Sequence, residues 1–531
     1  MRTTRSAAAG FLVCIFGIAS GVIPAGAIDL QERYPAKLDY SPDHQAYDWT
    51  CGEEDVWRLK EFSFQVGDEF ELELRESYVI FGHHDKNVLW AVVIPDEPAK
   101  LAKAPAGEGE RVTSVWIRLN PARVADLFPP EKVVGQGNPA LLGPARRLAA
   151  HKLRSSWQAG GRPMVPGKEA LTIDLETREG SRRFFAIDTE KPDVQYVDAF
   201  RAHPLPVADK LQPDTALEVF DKVWSAFDRE YAMFVVKSQV DWHKLRDEFR
   251  PRAAEAADNF ALADLLAEML ARLEDLHVSV QVNRLDVFCY DRPRPLNANR
   301  DALPELVGPT AQAGGGLSWS ITNDGIGYIA IDSLANRRLG GEFRQVLERM
   351  GDTRGLIIDL RYNGGGSEPL ALEIAGSFLD RQRVYSKTQY RNGPRHADFG
   401  PTQDQICGPK GPWHYVGPVV VLQGQRTMSS AESFVMMLAQ CPQVATMGDR
   451  TAGSSGNPYQ LSAGAGIHVN LPRWNPLTAD GKPFDRVGIP PAVAIEAGKN
   501  AFHDDRDPVL EAALKRLREA KAPEGEVLKS R

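Results

Sequence analysis

Apolar and polar residues recur with two different periods along this chain, and the change of period divides it. Phe62, Phe64 and Val66, then Phe70, Leu72 and Leu74, alternate with polar neighbours. A period of two is that of half-buried strands. Tyr78–Ile94 and Leu171–Ile187 read the same way, so residues 28–200 are expected to be a strand-rich N-terminal domain. Residues 201–213 contain three prolines and read as a linker.

A helical period follows. Asp214 can cap a helix that places Leu217, Phe220, Trp224, Phe227 and Tyr231 on one face. Asn259 can cap a second, with Leu262, Leu265, Leu266, Met269, Leu270 and Leu273 turned inward. His277 follows that helix and precedes a short strand, Val278–Val282, so residues 214–282 form a helical subdomain.

Residues 283–531 then alternate strand and helix. Gly327–Ile331, Gly355–Arg361 and Val419–Leu422 are continuous apolar or nearly apolar strands. Helices are expected around Phe343–Met350, Pro369–Leu379 and Ser430–Gln440. Strands near Val444 and at Ile467–Leu471 extend the layer, and Asp507-Pro508 starts a last helix. The fold class is α/β, with a largely parallel core layer.

Composition adds compartment and partners. The chain has 531 residues, 43% hydrophobic and 25% charged, which fits a globular protein of more than one domain. Its net charge of −8 disfavours a nucleic-acid partner. Arg2 and Arg5, the apolar run from Ala7 to Ile23 and Ala25-Gly26-Ala27 read as a signal peptide cleaved after Ala27. The mature protein is then expected in the periplasm or outside the cell, with no membrane association once the signal is removed. Cys14 goes with the signal, and Cys51, Cys289, Cys407 and Cys441 can form up to two disulfides whose pairing the sequence leaves open.

Candidate chemistry lies between the strands and helices of the last segment. Ser429 stands between the apolar run Val419–Leu422 and a helical pattern, where unpaired N–H groups favour negative charge. Alone, Ser429-x-x-Glu432 is a capping box. Tyr362-Asn363-Gly364-Gly365-Gly366 follows another strand, and its glycines let backbone N–H groups approach a ligand. The spacing fits neither a Walker loop nor a dinucleotide fingerprint, so an oxyanion site suits it better than phosphate. His277, beside Asp275, is a candidate general base, and Asp485 a candidate carboxylate. His83-His84-Asp85 lacks a metal-binding spacing and reads as a solvated loop. No metal or cofactor is expected.

In this order the pieces resemble the tail-specific (C-terminal processing) and tricorn-core serine peptidases, a family that also includes the retinoid-binding interphotoreceptor repeats. The resemblance covers about Thr215 to Ile495. It rests on the helix with Trp224 and Tyr231, Asp241-Trp242, Asp275-Leu276-His277, Gly327-Tyr328-Ile329 and the Asn-Gly-Gly-Gly turn. Ser429-Ser430-Ala431-Glu432, Gly448-x-x-Thr451-x-Gly453 and Gly488-Ile489-x-Pro491 complete it. It implies a ClpP/crotonase-like α/β core. Ser454 occupies the position of the processing branch's lysine base, so the tricorn-like branch is the better match, and residues 284–317 are too few for a PDZ domain. The resemblance therefore implies Ser429 as nucleophile, His277 as base and Asp485 as its orienting carboxylate, where the family usually has Glu. The N–H groups of Ser430 and of Gly365 or Gly366 would hold the oxyanion. A secreted serine peptidase acting on a peptide or protein is the expected function. A non-catalytic binding protein and an esterase of the same fold stand as rivals, and homo-oligomerisation is left open.

Overall fold

The computed structural model describes residues 53–66, 70–84, 87–97, 99–100, 111–118, 127–143, 145–148, 171–177, 180–186 and 194–197. It also describes 208–530, apart from 288, 291, 293, 314–315, 499–500, 503–504 and 522–526. The expected signal segment, Cys51, Asp85 and the first part of the expected linker lie outside the described residues.

The layer that positions the candidate site is a seven-stranded sheet. Its order is Ala311–Ala313, Leu317–Ile321, Ile326–Ile331, Gly355–Asp359, Val419–Gln423, Val444–Gly448 and Val493–Ala494. The first two strands pair antiparallel, and from Ile326–Ile331 onward every pairing is parallel. Three central strands are buried at every position, which explains their unbroken apolar runs. Successive side chains point to opposite faces. Leu356, Ile358, Val419 and Val421 meet the helices Leu339–Glu348, Glu368–Ala375 and Ser430–Leu438 on one face. Ile357, Val420 and Leu422 meet the C-terminal helix Pro508–Glu519 on the other. Asp507 caps that helix by accepting the Leu510 N–H at 3.0 Å, with Pro508 at its first position.

Before this layer the helices Pro213–Glu230, Trp242–Ala254 and Asn259–Ala271 pack on a four-stranded sheet. That sheet is Leu285–Val287, Ser279–Val282, Ile467–Leu471 and Tyr459–Gly464. Ile467–Leu471 therefore does not extend the parallel layer as the sequence suggested. Its alternate residues Ile467, Val469 and Leu471 belong to the helical core together with Val280 and Val282. Both expected caps also shift by one or two residues. The first helix starts on Pro213 after Gln212 and keeps Asp214 in its first turn. Asp258 caps the third by accepting from Ala261 N at 2.8 Å, while the buried Asn259 side chain donates to Ala465 O at 3.0 Å. The helix Trp242–Ala254 carries a weak apolar pattern, only Trp242, Phe249 and Ala253 being buried, and it contains Pro251.

The N-terminal strands form a nine-stranded antiparallel sheet. Phe62 faces Leu74 and Phe64 faces Leu72 across the first hairpin, the alternation the sequence carries. Tyr78–Ile94 and Leu171–Ile187 each fall into two antiparallel strands, Phe70–His84 with Asn87–Pro95 and Leu171–Thr177 with Gly180–Ala186. Arg147 pairs with Asp264 of the helix Asn259–Ala271 and stacks over Phe260, 4.8 Å from the ring centroid. Among the described residues Cys289, Cys407 and Cys441 are free thiols, and no helix is long and apolar enough to cross a membrane.

Candidate active site

Ser429 ends the turn that leaves the strand Val419–Gln423. Thr427 fixes that turn, donating its hydroxyl to Leu360 O at 2.9 Å and accepting from Gly424 N at 3.1 Å. Asn363 ties the glycine loop to the same place. Its carbonyl accepts from Met428 N at 3.1 Å, and its side-chain amide donates to Ile331 O at 2.9 Å. Ser429 is the N-cap of the helix Ser430–Leu438, with φ +60° and ψ −129°. That conformation is strained for a residue with a Cβ and costs on the order of 1–3 kcal/mol. It persists because both ends are held. Ser429 N–H donates to Ser454 O at 3.0 Å and to Glu432 Oε2 at 3.1 Å.

Glu432 is the buried anchor of this corner. Its carboxylate also accepts from Thr451 Oγ1 at 2.5 Å, Gly453 N at 2.7 Å and Ser454 N at 2.9 Å. Burial pushes its pKa up to about 7, against these donors, which pull it down. The capping glutamate read from the sequence thus also fixes residues 451–454.

His277 reaches Ser429 from the segment between the helix Asn259–Ala271 and the strand Ser279–Val282. Asp275 Oδ1 accepts the His277 backbone N–H at 2.9 Å and so sets the loop, while Tyr231 OH donates to Asp275 Oδ2 at 2.7 Å. The ring then spans two serines. Nε2 lies 2.9 Å from Ser429 Oγ, and Nδ1 lies 2.6 Å from Ser454 Oγ. Burial lowers the imidazole pKa below 6.5; Asp275 opposes this and Arg294 reinforces it.

Asp485 sits elsewhere in the network. Its Oδ2 lies 2.8 Å from Lys237 Nζ, both side chains being almost fully buried. Neither atom has another partner among the described residues, so the two groups are committed to each other as an ion pair. Burial first and Asp275 second push Asp485 up to about 6, against the pull of Lys237. The resemblance implied Asp485 as the carboxylate that orients His277, whereas the group that meets Nδ1 is Ser454 Oγ. A carboxylate committed to a buried ammonium is a poor partner for a second cation.

The glycine loop abuts the nucleophile. A Cβ on Gly365 would lie 2.8 Å from Met428 O and 2.8 Å from Ser429 Cβ, and its φ is +106°. Gly365 N–H donates to Asn363 Oδ1 at 2.9 Å. Among the described residues the Gly366 and Ser430 N–H groups have no acceptor, and Ser430 Oγ donates to Gly366 O at 2.9 Å. Of the two glycines named from sequence, Gly366 is the one with a free donor. Sequence reasoning gave no role to Asn363, Ser454 or Lys237. Asn363 lies in the glycine turn and Ser454 directly after Gly448-x-x-Thr451-x-Gly453, whereas nothing in the sequence around Lys237 marks it.

Residues 325–495 match peptidase family S41, and residues 213–271 match the tricorn protease C1 domain. The chain carries a peptidase family S41 domain. The carboxy-terminal processing protease CtpA of Bacillus subtilis is 28% identical over 152 residues, 28% of this chain and 30% of the relative. CtpB of the same organism is 25% identical over 173 residues, 32% of this chain and 34% of the relative. The chain therefore spans about a third of the length of these curated relatives. A crystal structure assigned to a candidate peptidase of Parabacteroides merdae is 27% identical, with a TM-score of 0.53, over 59% of this chain and 98% of that one. The S41 domain contains Ser429, Glu432, Ser454, Asp485 and the glycine loop, whereas His277 and Lys237 precede it.

Proposed function

We propose that this protein is a serine peptidase, exported by its N-terminal segment, that cleaves peptide bonds through an acyl-enzyme on Ser429. The 2.9 Å contact between His277 Nε2 and Ser429 Oγ, at a strained helix N-cap, carries this reading. Ser429 Oγ attacks the scissile carbonyl carbon as its proton passes to Nε2. The Gly366 and Ser430 N–H groups hold the oxyanion, aided by the positive end of the helix Ser430–Leu438. Collapse breaks the C–N bond, and the imidazolium gives its proton to the leaving amine. Water then attacks the ester by the same proton route, releasing the acid and restoring Ser429. A serine-directed phosphonate tests the reading directly. Folded protein should carry the adduct on Ser429, and its absence would favour a non-catalytic binding protein.

Two further outcomes follow from the same chemistry. The base must be neutral to accept a proton, and the folded-state imidazole pKa lies below 6.5. His277 is then neutral at pH 6.5 and above, and activity is lost as pH falls through its lowered value. The acid limb of kcat/KM, which reports the free enzyme, should lie below pH 6.5. A limb above pH 6.5 would contradict the burial argument.

Gly365→Ala should reduce kcat/KM by about 10²–10³-fold, comparable with loss of one oxyanion donor. The added methyl would push the nucleophile turn and the loop apart. Peptide hydrolysis by the folded variant checks this, and near-normal turnover would exclude the loop from the oxyanion site.

A further inference from the structure

We propose that Ser454 and Asp275 divide the work a single triad carboxylate would do, Ser454 fixing the His277 tautomer and Asp275 supplying the compensating charge. Both act as positioning residues in the serine-peptidase reading above, on which this inference rests.

The geometry separates the two roles. A base at Nε2 requires the neutral ring to carry its proton on Nδ1. That proton faces Ser454 Oγ at 2.6 Å, so the hydroxyl accepts it and holds the ring toward Ser429. Ser454 is itself rigidly placed and almost fully buried. Its N–H donates to Glu432 and its carbonyl accepts from Ser429, so one residue is locked to the nucleophile's backbone and to the base's far nitrogen. A hydroxyl carries no net charge, however, and cannot by itself neutralise the imidazolium.

Asp275 is the carboxylate built into the histidine's own loop. It accepts the His277 backbone N–H and the Tyr231 hydroxyl, and is 2% exposed. Its field favours protonated His277, whereas that of Arg294 disfavours it. Beyond Ser454 lies the Glu432 carboxylate. Asp485 is matched by Lys237, which leaves Asp275 without a charge partner of its own among these groups.

The test combines tautomer, labelling rate and pH profile. In wild-type protein with ¹⁵N-labelled histidine, NMR above the acid limb should show His277 with its proton on Nδ1. A proton on Nε2 would overturn the assignment, and this readout does not depend on turnover. Ser454→Ala retains both backbone bonds of residue 454. It should slow phosphonate labelling and kcat by about 10–100-fold, less than the roughly 10²–10⁴-fold that a general base itself contributes because His277 remains, with KM within about twofold. Ser454→Thr restores the hydroxyl and should recover most of the rate. Asp275→Asn should lower the rate and move the acid limb to lower pH, because the imidazolium loses its counter-charge. No labelling of wild-type protein would refute the peptidase reading itself. Normal labelling of wild type, with Ser454→Ala and Asp275→Asn both within twofold of it, would refute only the division of roles.

Discussion

Ser429→Ala is expected to reduce peptide hydrolysis by about 10⁴–10⁶-fold and to abolish phosphonate labelling, the scale seen when a serine nucleophile is removed. The fold should survive. Oγ is the only group lost, and the N–H bonds to Ser454 O and Glu432 Oε2 stay in place. The alanine still has to adopt φ +60° and ψ −129°. Ser429→Gly is equally inactive but free of the Cβ clash, so it should be more stable than Ser429→Ala by about 1 kcal/mol. Initial rates under single-turnover conditions and parallel thermal melts separate these effects. Hydrolysis by Ser429→Ala within tenfold of wild type would remove the nucleophile from its role.

The largest effect on stability is expected at Arg361. Its guanidinium is fully buried and bridges Asp359, through Nε at 2.9 Å and Nη2 at 2.6 Å, to Asp507 through Nη1 at 2.8 Å. Nη1 also donates to Asn297 O at 2.7 Å, and Tyr328 OH donates to Asp359 Oδ2 at 2.9 Å. Burial alone would raise the Asp359 pKa, but the Arg361 charge and hydrogen bonds together with the Tyr328 hydroxyl outweigh it and hold the carboxyl below its usual value. Arg361→Met leaves two carboxylates buried without their cation, and breaking a buried pair in this way costs about 3–5 kcal/mol. Arg361→Lys should recover little, because one ammonium cannot reproduce the planar fork toward both acids. Urea unfolding measures the loss, and a change below about 1 kcal/mol would show that the network relaxes or admits water. The effect should extend to catalysis. Asp507 caps the C-terminal helix, and Arg361 leads directly into the glycine loop beside Ser429.

Much of this molecule is legible in the order of its residues. The all-buried strands announce themselves as Leu356-Ile357-Ile358 and Val419-Val420-Val421-Leu422, because a strand covered on both faces tolerates little polarity. Ser429-x-x-Glu432 and Asp507-Pro508 are local signals, and both occur at helix starts. The S41 match over residues 325–495 agrees with the family those motifs suggested. Ile467–Leu471 was legible as a strand but not as a member of a particular sheet. Alternation reports that one face is buried, not what buries it.

The polar contacts mark the boundary between the two kinds of knowledge. By itself the sequence determined the element types, the parallel layer and a serine, a histidine and a glycine turn of suitable chemistry. Only the tertiary structure decided that His277 meets Ser429 across 152 positions and Ser454 across 177, and that Asp485 is taken by Lys237. Periodicity and caps are set by neighbours within a few residues, so they are written locally. Which carboxylate faces which cation depends on how separate layers pack, and burial then makes each such pairing costly to change.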